Sequence, residues 1–267
     1  MRVLGTLGLG RSEDEDHYEK PRAAPTKIRR RLRLTLRIAK YLLVVVLVLA
    51  AGFGLLFAFT PSAGEATQIV QSQARQHHIA YPGPAVPEDF AKALVATEDH
   101  RFYTNPGVDP LAIGRVVAAK ITGKNDQGGS TITQQLAKML YTPGSTGFMT
   151  NLEQVTLAMK LNMTYTKAQI LQMYSEVAYY GHGYYGLGEA SCGYFGHPPA
   201  ELTLVQAAML AGAVNAPTYD DPLTYPAQAR TRLVHVLGRM AAVGDLTTQQ
   251  EAQALQTPLG LSATRGC

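Results

Sequence analysis

Two stretches of this 267-residue chain have residue types suited to chemistry. The first is Glu98-Asp99-His100-Arg101-Phe102, and the second is Gly128-Gly129-Ser130-Thr131-Ile132-Thr133-Gln134-Gln135-Leu136-Ala137-Lys138. A flexible glycine pair, then hydroxyls and amides, then a lysine, is poor core material. It is suited to gripping a sugar and a phosphate. The upstream carboxylates supply an acid or a base. Together they point to chemistry on a polar, phosphorylated carbohydrate.

The elements that position these groups read as helices. Pro87-Glu88-Asp89 has the early proline and first-turn acids of a helix start. Along that helix Ala91, Leu94, Val95 and Phe102 share a side with Glu98, at spacings of three, four and seven. That side points inward. A carboxylate there is costly without a partner or a purpose, and partial burial makes it a better general base. The plainer alternative is that Glu98 caps a neighbour or pairs with an arginine. Ser130, after two glycines, is a candidate N-cap whose helix N-terminus faces an anion. Ser130, Gln134 and Lys138 then share a helix face, with Thr131 and Gln135 beside it, and Lys138 is a point charge for a pyrophosphate. A solvated polar face with an ordinary capping serine competes with that reading.

Further helical stretches fall at about 110–122, 130–141, 151–164, 167–180, 203–214 and 226–243, with Thr166 as an N-cap and glycine-rich joints at 123–129 and 181–188. No alternating strand pattern appears. The pattern predicts an all-α domain with one long polar cleft. The tyrosines between Tyr179 and Tyr194 read as packing residues of a helical core before sugar-stacking ones. His77, His78, His100, His182 and His197 lack metal-ligand spacing. Cys192 and Cys267 either form one disulfide or remain two free thiols, and the terminal position of Cys267 favours the thiols.

Charge is unevenly spread. Residues 1–40 hold eleven of the 24 Lys and Arg but five of the 20 Asp and Glu. The basic character therefore belongs to the N-terminal segment, which argues against a nucleic-acid-binding domain. Tyr41 to Gly64 carries no charge, and Tyr41–Phe59 is long enough to span about 30 Å of hydrocarbon. Lys27, Arg29, Arg30, Arg31, Arg33, Arg37 and Lys40 precede it, so the N-terminus is expected in the cytoplasm and the bulk of the chain outside. The expected organisation is a largely disordered basic tail over 1–40, a transmembrane helix over 41–60, a globular domain over 61–245 and a C-terminal tail over 246–267. A cleaved signal peptide is disfavoured by the length of the apolar run and of what precedes it.

In their order along the chain, these residues resemble the signatures of the peptidoglycan glycosyltransferases. Glu98-Asp99-x-x-Phe102 through Gly107, and Gly129-Ser130-Thr131-x-Thr133-Gln134-Gln135-x-x-Lys138, look like the first two. Lys167-x-x-Ile170-Leu171-x-x-Tyr174 resembles the fourth and Arg232-x-x-x-Val236-Leu237 the fifth. The tyrosine- and glycine-rich stretch Tyr180-Gly181 through Gly196 fits between them. The likeness covers about 66–242 and is that of a monofunctional member. It implies a lysozyme-like helical glycosyltransferase domain behind a single transmembrane helix, on the outer face of the bacterial cytoplasmic membrane. The implied substrates are lipid II and the growing glycan strand. The implied reaction is inverting transfer with Glu98 as general base and undecaprenyl pyrophosphate as leaving group. Other wall-synthesis proteins are implied partners, and nucleic acid is not. By motif position Arg115, Ser130, Gln135 and Lys138 line the donor site, and Asp99, Phe102, Asn105, Gly129, Thr131, Thr133, Gln134 and Arg232 complete the substrate site. The family also implies Mg²⁺ or Mn²⁺ bridging the pyrophosphate.

The chain departs from that pattern. The third signature, Arg-Lys-x-x-Glu, falls on Thr150-Asn151-Leu152-Glu153-Gln154. Two cations are missing and Gln154 occupies the place of the second family carboxylate. Neighbouring Glu153 is rotated 100° around a helix. Asn105 replaces a histidine and Glu176 an asparagine. These changes weaken stabilisation of the leaving group. Beside an active polymerase stand two other readings: an impaired relative that binds lipid II or scaffolds the wall-synthesis machinery, and a lytic enzyme, which has no use for a pyrophosphate-binding lysine.

Overall fold

The structure, a computed structural model, describes residues 26–123, 129–262 and 267. The acidic run Glu13–Asp16, with the rest of the first 25 residues of the tail expected over 1–40, and Gly128 lie outside the described residues. The chain separates into two compact units, 1–54 and 55–267.

The first unit is helix α1, Thr26–Phe59, which continues a few residues into the second. It begins before the apolar run, so the basic flank from Arg30 to Lys40 is helical rather than irregular. Its 34 residues correspond to about 51 Å, more than the ~30 Å of a bilayer core. It is the helix long and apolar enough to cross a membrane among the described residues.

The second unit is helical. Its elements are α2 (Ala66–Gln76), α3 (Glu88–Glu98), α4 (Pro110–Ile121), α5 (Ile132–Tyr141), α6 (Phe148–Thr164), α7 (Lys167–Val177), α8 (Leu187–Phe195), α9 (Leu204–Ala213), α10 (Pro226–Val243) and α11 (Thr248–Gln256). Among the described residues the only β pairing is an isolated bridge between Tyr179 and Tyr185. Helix α9 is apolar all round and buried from Val205 to Ala213, packed between α3 and α10. Met209 and Leu210, essentially inaccessible, each contribute roughly 1.5–3 kcal/mol by burial. Helices α5, α6 and α7 pack together beside this layer, and Phe90, Leu94, Leu136, Leu157, Ile170, Tyr174 and Tyr194 join one core.

Four helices start with the same local device. Thr131 and Gln134, Thr166 and Gln169, Thr203 and Gln206, and Thr247 and Gln250 form reciprocal capping boxes at α5, α7, α9 and α11. Helix α10 opens on Pro226 and stops at Gly244, whose φ of +90° only glycine adopts freely.

Several expectations are corrected. Helices α2 and α8 form where no helix was read. The segment 246–267 is no simple tail, because α11 packs on α10 and α9 and buries Ala254. Cys192 and Cys267 are joined in a disulfide, not two free thiols. The reason is the path of the chain after α11: the Ser262 amide donates to Tyr194 O (2.7 Å) and Gln206 Nε2 to Leu259 O (3.2 Å), bringing the terminus to α8. Tyr180 and Tyr194 are core residues, consistent with the packing reading of the tyrosines.

Candidate active site

Glu98 is the last residue of α3, and its side chain is 7% exposed. Three elements distant in sequence reach its carboxylate. Arg232 Nη2 from α10 lies 2.7 Å from Oε1. Gln135 Nε2 from α5 donates to Oε2 at 3.0 Å, and Asn215 Nδ2, just beyond α9, reaches both oxygens at 3.3 and 3.2 Å. The cost of burying a carboxylate is thus met by one charged and two neutral donors. Behind Gln135, the Tyr174 hydroxyl of α7 donates to Gln135 Oε1 at 2.9 Å. Burial, with Glu98 adding to it, pushes the Tyr174 phenol far above its ordinary value, so it remains a donor. Residues from the first, second, fourth and fifth signature stretches therefore meet at one carboxylate.

Gly212 permits this meeting. A Cβ there would lie 3.0 Å from both Arg232 Cγ and Val236 Cγ2. The missing side chain lets Arg232 cross the end of α9, where its Nε donates to Gly212 O at 3.1 Å.

The N-terminus of α5 differs from expectation. The N-cap is Thr131, not Ser130, and Gln134 closes the capping box instead of facing a ligand. The Ile132 amide donates to Asp99 Oδ2 at 3.2 Å and the Gln134 amide to Thr131 Oγ1 at 3.1 Å. An internal carboxylate already occupies the place expected for a bound anion.

Asp99, Phe102, Asn105, Thr131 and Thr133 were expected to bind substrate, but all five are buried. Their polar groups mostly serve one another. Asn105 Nδ2 donates to both Asp99 oxygens (2.9 and 3.0 Å), and Asn105 Oδ1 accepts from the Gly107 amide (3.0 Å) and Lys167 Nζ (3.2 Å). Lys167 Nζ also lies 4.5 Å over the Phe102 ring. Thr131 Oγ1 donates to Gly107 O at 2.6 Å, while Thr133 Oγ1 is buried without a partner. Gly107 itself takes a φ of +96°, and a Cβ there would strike Ala158 O at 2.4 Å. Burial raises the Asp99 carboxyl above its ordinary value against the opposing pull of Asn105, the Ile132 amide and Lys167. Burial lowers Lys167, with Asp99 opposing. Phe102, Asn105 and Thr133 pack inside the domain, while Asp99 and Thr131, though largely buried, also line the cleft beside Glu98.

A small cleft opens beside Glu98, lined among others by Asp99, His100, Arg101, Arg115, Gly129, Ser130 and Thr131. Arg115 and Ser130 are exposed there. Arg101 is fixed to Asp109 Oδ2 through Nε (2.9 Å) and Nη2 (2.6 Å), and its Nη1 approaches His100 Nε2 at 2.9 Å. A guanidinium only donates, so His100 accepts and is neutral. Burial, then Arg101 and Arg239, hold it below its ordinary value in agreement with this. Lys138 is exposed on α5 and does not line the cleft.

Gln154, at the second-carboxylate position, donates through Nε2 to Thr142 Oγ1 at 2.9 Å, where Thr142 caps the C-terminus of α5. It is not among the partners of Glu98. Glu176, where an asparagine was expected, is buried and accepts from the Gly83 amide (2.8 Å) and Gln172 Nε2 (2.9 Å). Among the described residues no group of three His, Cys, Asp or Glu is placed to hold a metal ion.

Asn215 and Tyr174 were not singled out as site residues. The signal for Asn215 was a lone amide directly after the apolar run of α9. Tyr174 lay within a quoted signature but carried no role.

The chain is similar in sequence to known proteins. The sequence model of the transglycosylase family matches residues 64–241. A Cupriavidus necator protein provisionally named a transglycosylase is 36% identical over 176 residues, which are 66% of this chain and 76% of that protein. Penicillin-binding protein 1A of Escherichia coli is 40% identical over 166 residues, 62% of this chain and 20% of its own. Penicillin-binding protein 1B of Vibrio cholerae is 38% identical over 183 residues, 67% of this chain and 24% of its own. The chain thus spans only a fifth to a quarter of those two penicillin-binding proteins.

Proposed function

The chain belongs to the transglycosylase family of peptidoglycan glycosyltransferases, and from that premise we propose that it polymerises lipid II into glycan strands at the outer face of the bacterial cytoplasmic membrane. The observation that carries this reading is the convergence of Arg232, Gln135 and Asn215 on the buried carboxylate of Glu98. Glu98 Oε accepts the proton of an acceptor sugar's 4-hydroxyl as that oxygen attacks C1 of the donor. The C1–O bond to the pyrophosphate breaks, configuration inverts, and undecaprenyl pyrophosphate leaves with the bonding electrons. General-base help of this kind contributes about 10²–10⁴-fold. Ser130 and Arg115, lining the cleft beside Glu98, supply donors to the departing pyrophosphate, and exposed Lys138 adds a cation. No step is routed through a metal ion. Apolar α1 and its basic flank support a single-pass anchor with a cytoplasmic N-terminus, and the disulfide accords with an exported domain.

One observation favours a second reading. The third signature has lost both cations, and Gln154 is engaged with Thr142. An impaired relative would retain lipid II binding, or a scaffolding role, without polymerisation. Labelled lipid II incubated with the full-length protein in detergent, beside Glu98→Gln, separates the two. Glycan strands that vanish with Glu98→Gln support the transferase. Bound lipid II with no strands, and none after Gln154→Glu, supports the second reading.

A further inference from the structure

Arg232 lies between two carboxylates. Its Nη2 is 2.7 Å from Glu98 Oε1, and its Nε is 3.9 Å from Asp220 Oδ2. The side chains of Glu98, Asp220 and Arg232 are 7%, 14% and 17% exposed, so solvent screens these charges little. Asp220 belongs to the segment after α9 that also places Asn215 against Glu98.

We propose that Asp220 is a positioning residue for the transfer: it shares the Arg232 guanidinium with Glu98 and so sets how strongly that cation holds the base. The proposal rests on the reading of Glu98 as general base. A carboxylate in contact with a cation loses proton affinity, and a second anion on the same cation restores part of it. Arg232 alone would hold Glu98 with its full charge. Arg232 divided with ionised Asp220 keeps the position with a looser hold.

The other groups facing this triad do not perform the same service. Tyr174 from α7 is held protonated by burial. His235, on α10 beside Arg232, is held below its ordinary value by burial and then by Arg232 and Arg239, so it is neutral near pH 7. Gln135 from α5 and Asn215 carry no charge. Arg239, also on α10, donates through Nε to Ala96 O. Burial raises the Asp220 carboxyl, with Arg232 opposing, so Asp220 takes up its proton at less acidic pH than an ordinary aspartate. On acidification Asp220 is neutralised and Arg232 turns wholly to Glu98.

The test is the pH dependence of kcat/KM for lipid II polymerisation by the full-length protein in detergent, for the parent, Asp220→Asn and Asp220→Glu. The parent's acidic limb should fall more steeply than one proton allows. Asp220→Asn should show a single-proton limb displaced about 0.5–1 pH unit lower, with a plateau about 3–10-fold down. Asp220→Glu should recover the steep limb, and matched melting curves exclude misfolding. An Asp220→Asn limb and plateau equal to the parent's overturn the proposal.

A readout without turnover keeps this separate from the functional reading. The ¹⁵N resonance of Arg232 Nε, assigned by its loss in Arg232→Lys, should titrate with pH in the parent and lose its less acidic step in Asp220→Asn. That result in a protein without polymerase activity supports the shared cation and sinks Glu98 as a working base. An active protein whose Arg232 resonance ignores the substitution sinks the role of Asp220 alone.

Discussion

Replacing Tyr174 by Phe tests whether Glu98 is held through a relay or only through direct contacts. The phenol is 1% exposed, and its hydroxyl donates to Gln135 Oε1 at 2.9 Å. Gln135 Nε2 in turn faces Glu98 Oε2 at 3.0 Å. The reversed amide would set its oxygen against a carboxylate, so Tyr174 and Glu98 together fix one orientation. Phe keeps the ring and its packing. The loss is one neutral hydrogen bond, about 1 kcal/mol of stability. Glu98 alone still biases the amide, so the transition state loses about 0.7–1.4 kcal/mol, a fall in kcat of about 3–10-fold. KM for lipid II should hold within about twofold, because the substituted atom touches no ligand surface. Gln135→Leu removes the donor to Glu98 outright and should cost more, about 10–100-fold in kcat. The double variant should then match Gln135→Leu, since Tyr174 acts only through Gln135. Fully additive losses, or a normal Tyr174→Phe beside a crippled Gln135→Leu, would refute the relay.

Two further outcomes follow from packing. Gly212→Ala puts a methyl 3.0 Å from Arg232 and Val236, and α10 must shift by a few tenths of an ångström. A loss of about 1–2 kcal/mol, with a drop in kcat as Arg232 moves, is expected in melting and turnover assays; parent-like values in both contradict the role given to this glycine. The disulfide closes a separation of 75 residues, so Cys267→Ser should lower stability by about 2–4 kcal/mol, and reductant should lower the parent's melting point to match. A parent melting point indifferent to reductant contradicts it.

Much of the positioning was legible from local signals. Pro87-Glu88-Asp89 marked the start of α3, Pro226 lay at the start of the last long stretch read, and the three-four-seven spacing placed Glu98 on the inward side. Thr166 was read correctly as a cap. The same Thr-x-x-Gln pattern at Thr131 was present but overlooked in favour of Ser130, one position away. Helices α8 and α11 are short and glycine-bearing or polar, so burial against neighbours defines them, whereas α2 carries a legible period, with Ala66, Val70 and Ala74 buried at four-residue spacing, that was passed over. The partners of Glu98 come from elements up to 134 positions apart, and no local pattern encodes which cation or amide arrives. Nor does a local pattern tell that Asn105 and Asp99 bond to each other, since a polar residue in a signature stretch serves internal bonding as readily as a surface.

The first amides of α5 bear on how the proposed reaction would meet its leaving group. Asp99 and Thr131 already use the donors that would make a fixed cradle for phosphate. In the proposed reaction the polyanionic leaving group would be met by exposed Ser130 and Arg115 at the cleft and, outside it, by exposed Lys138, and dissolved salt screens the two cations. On that reading, the hold on the leaving group should loosen as salt is raised.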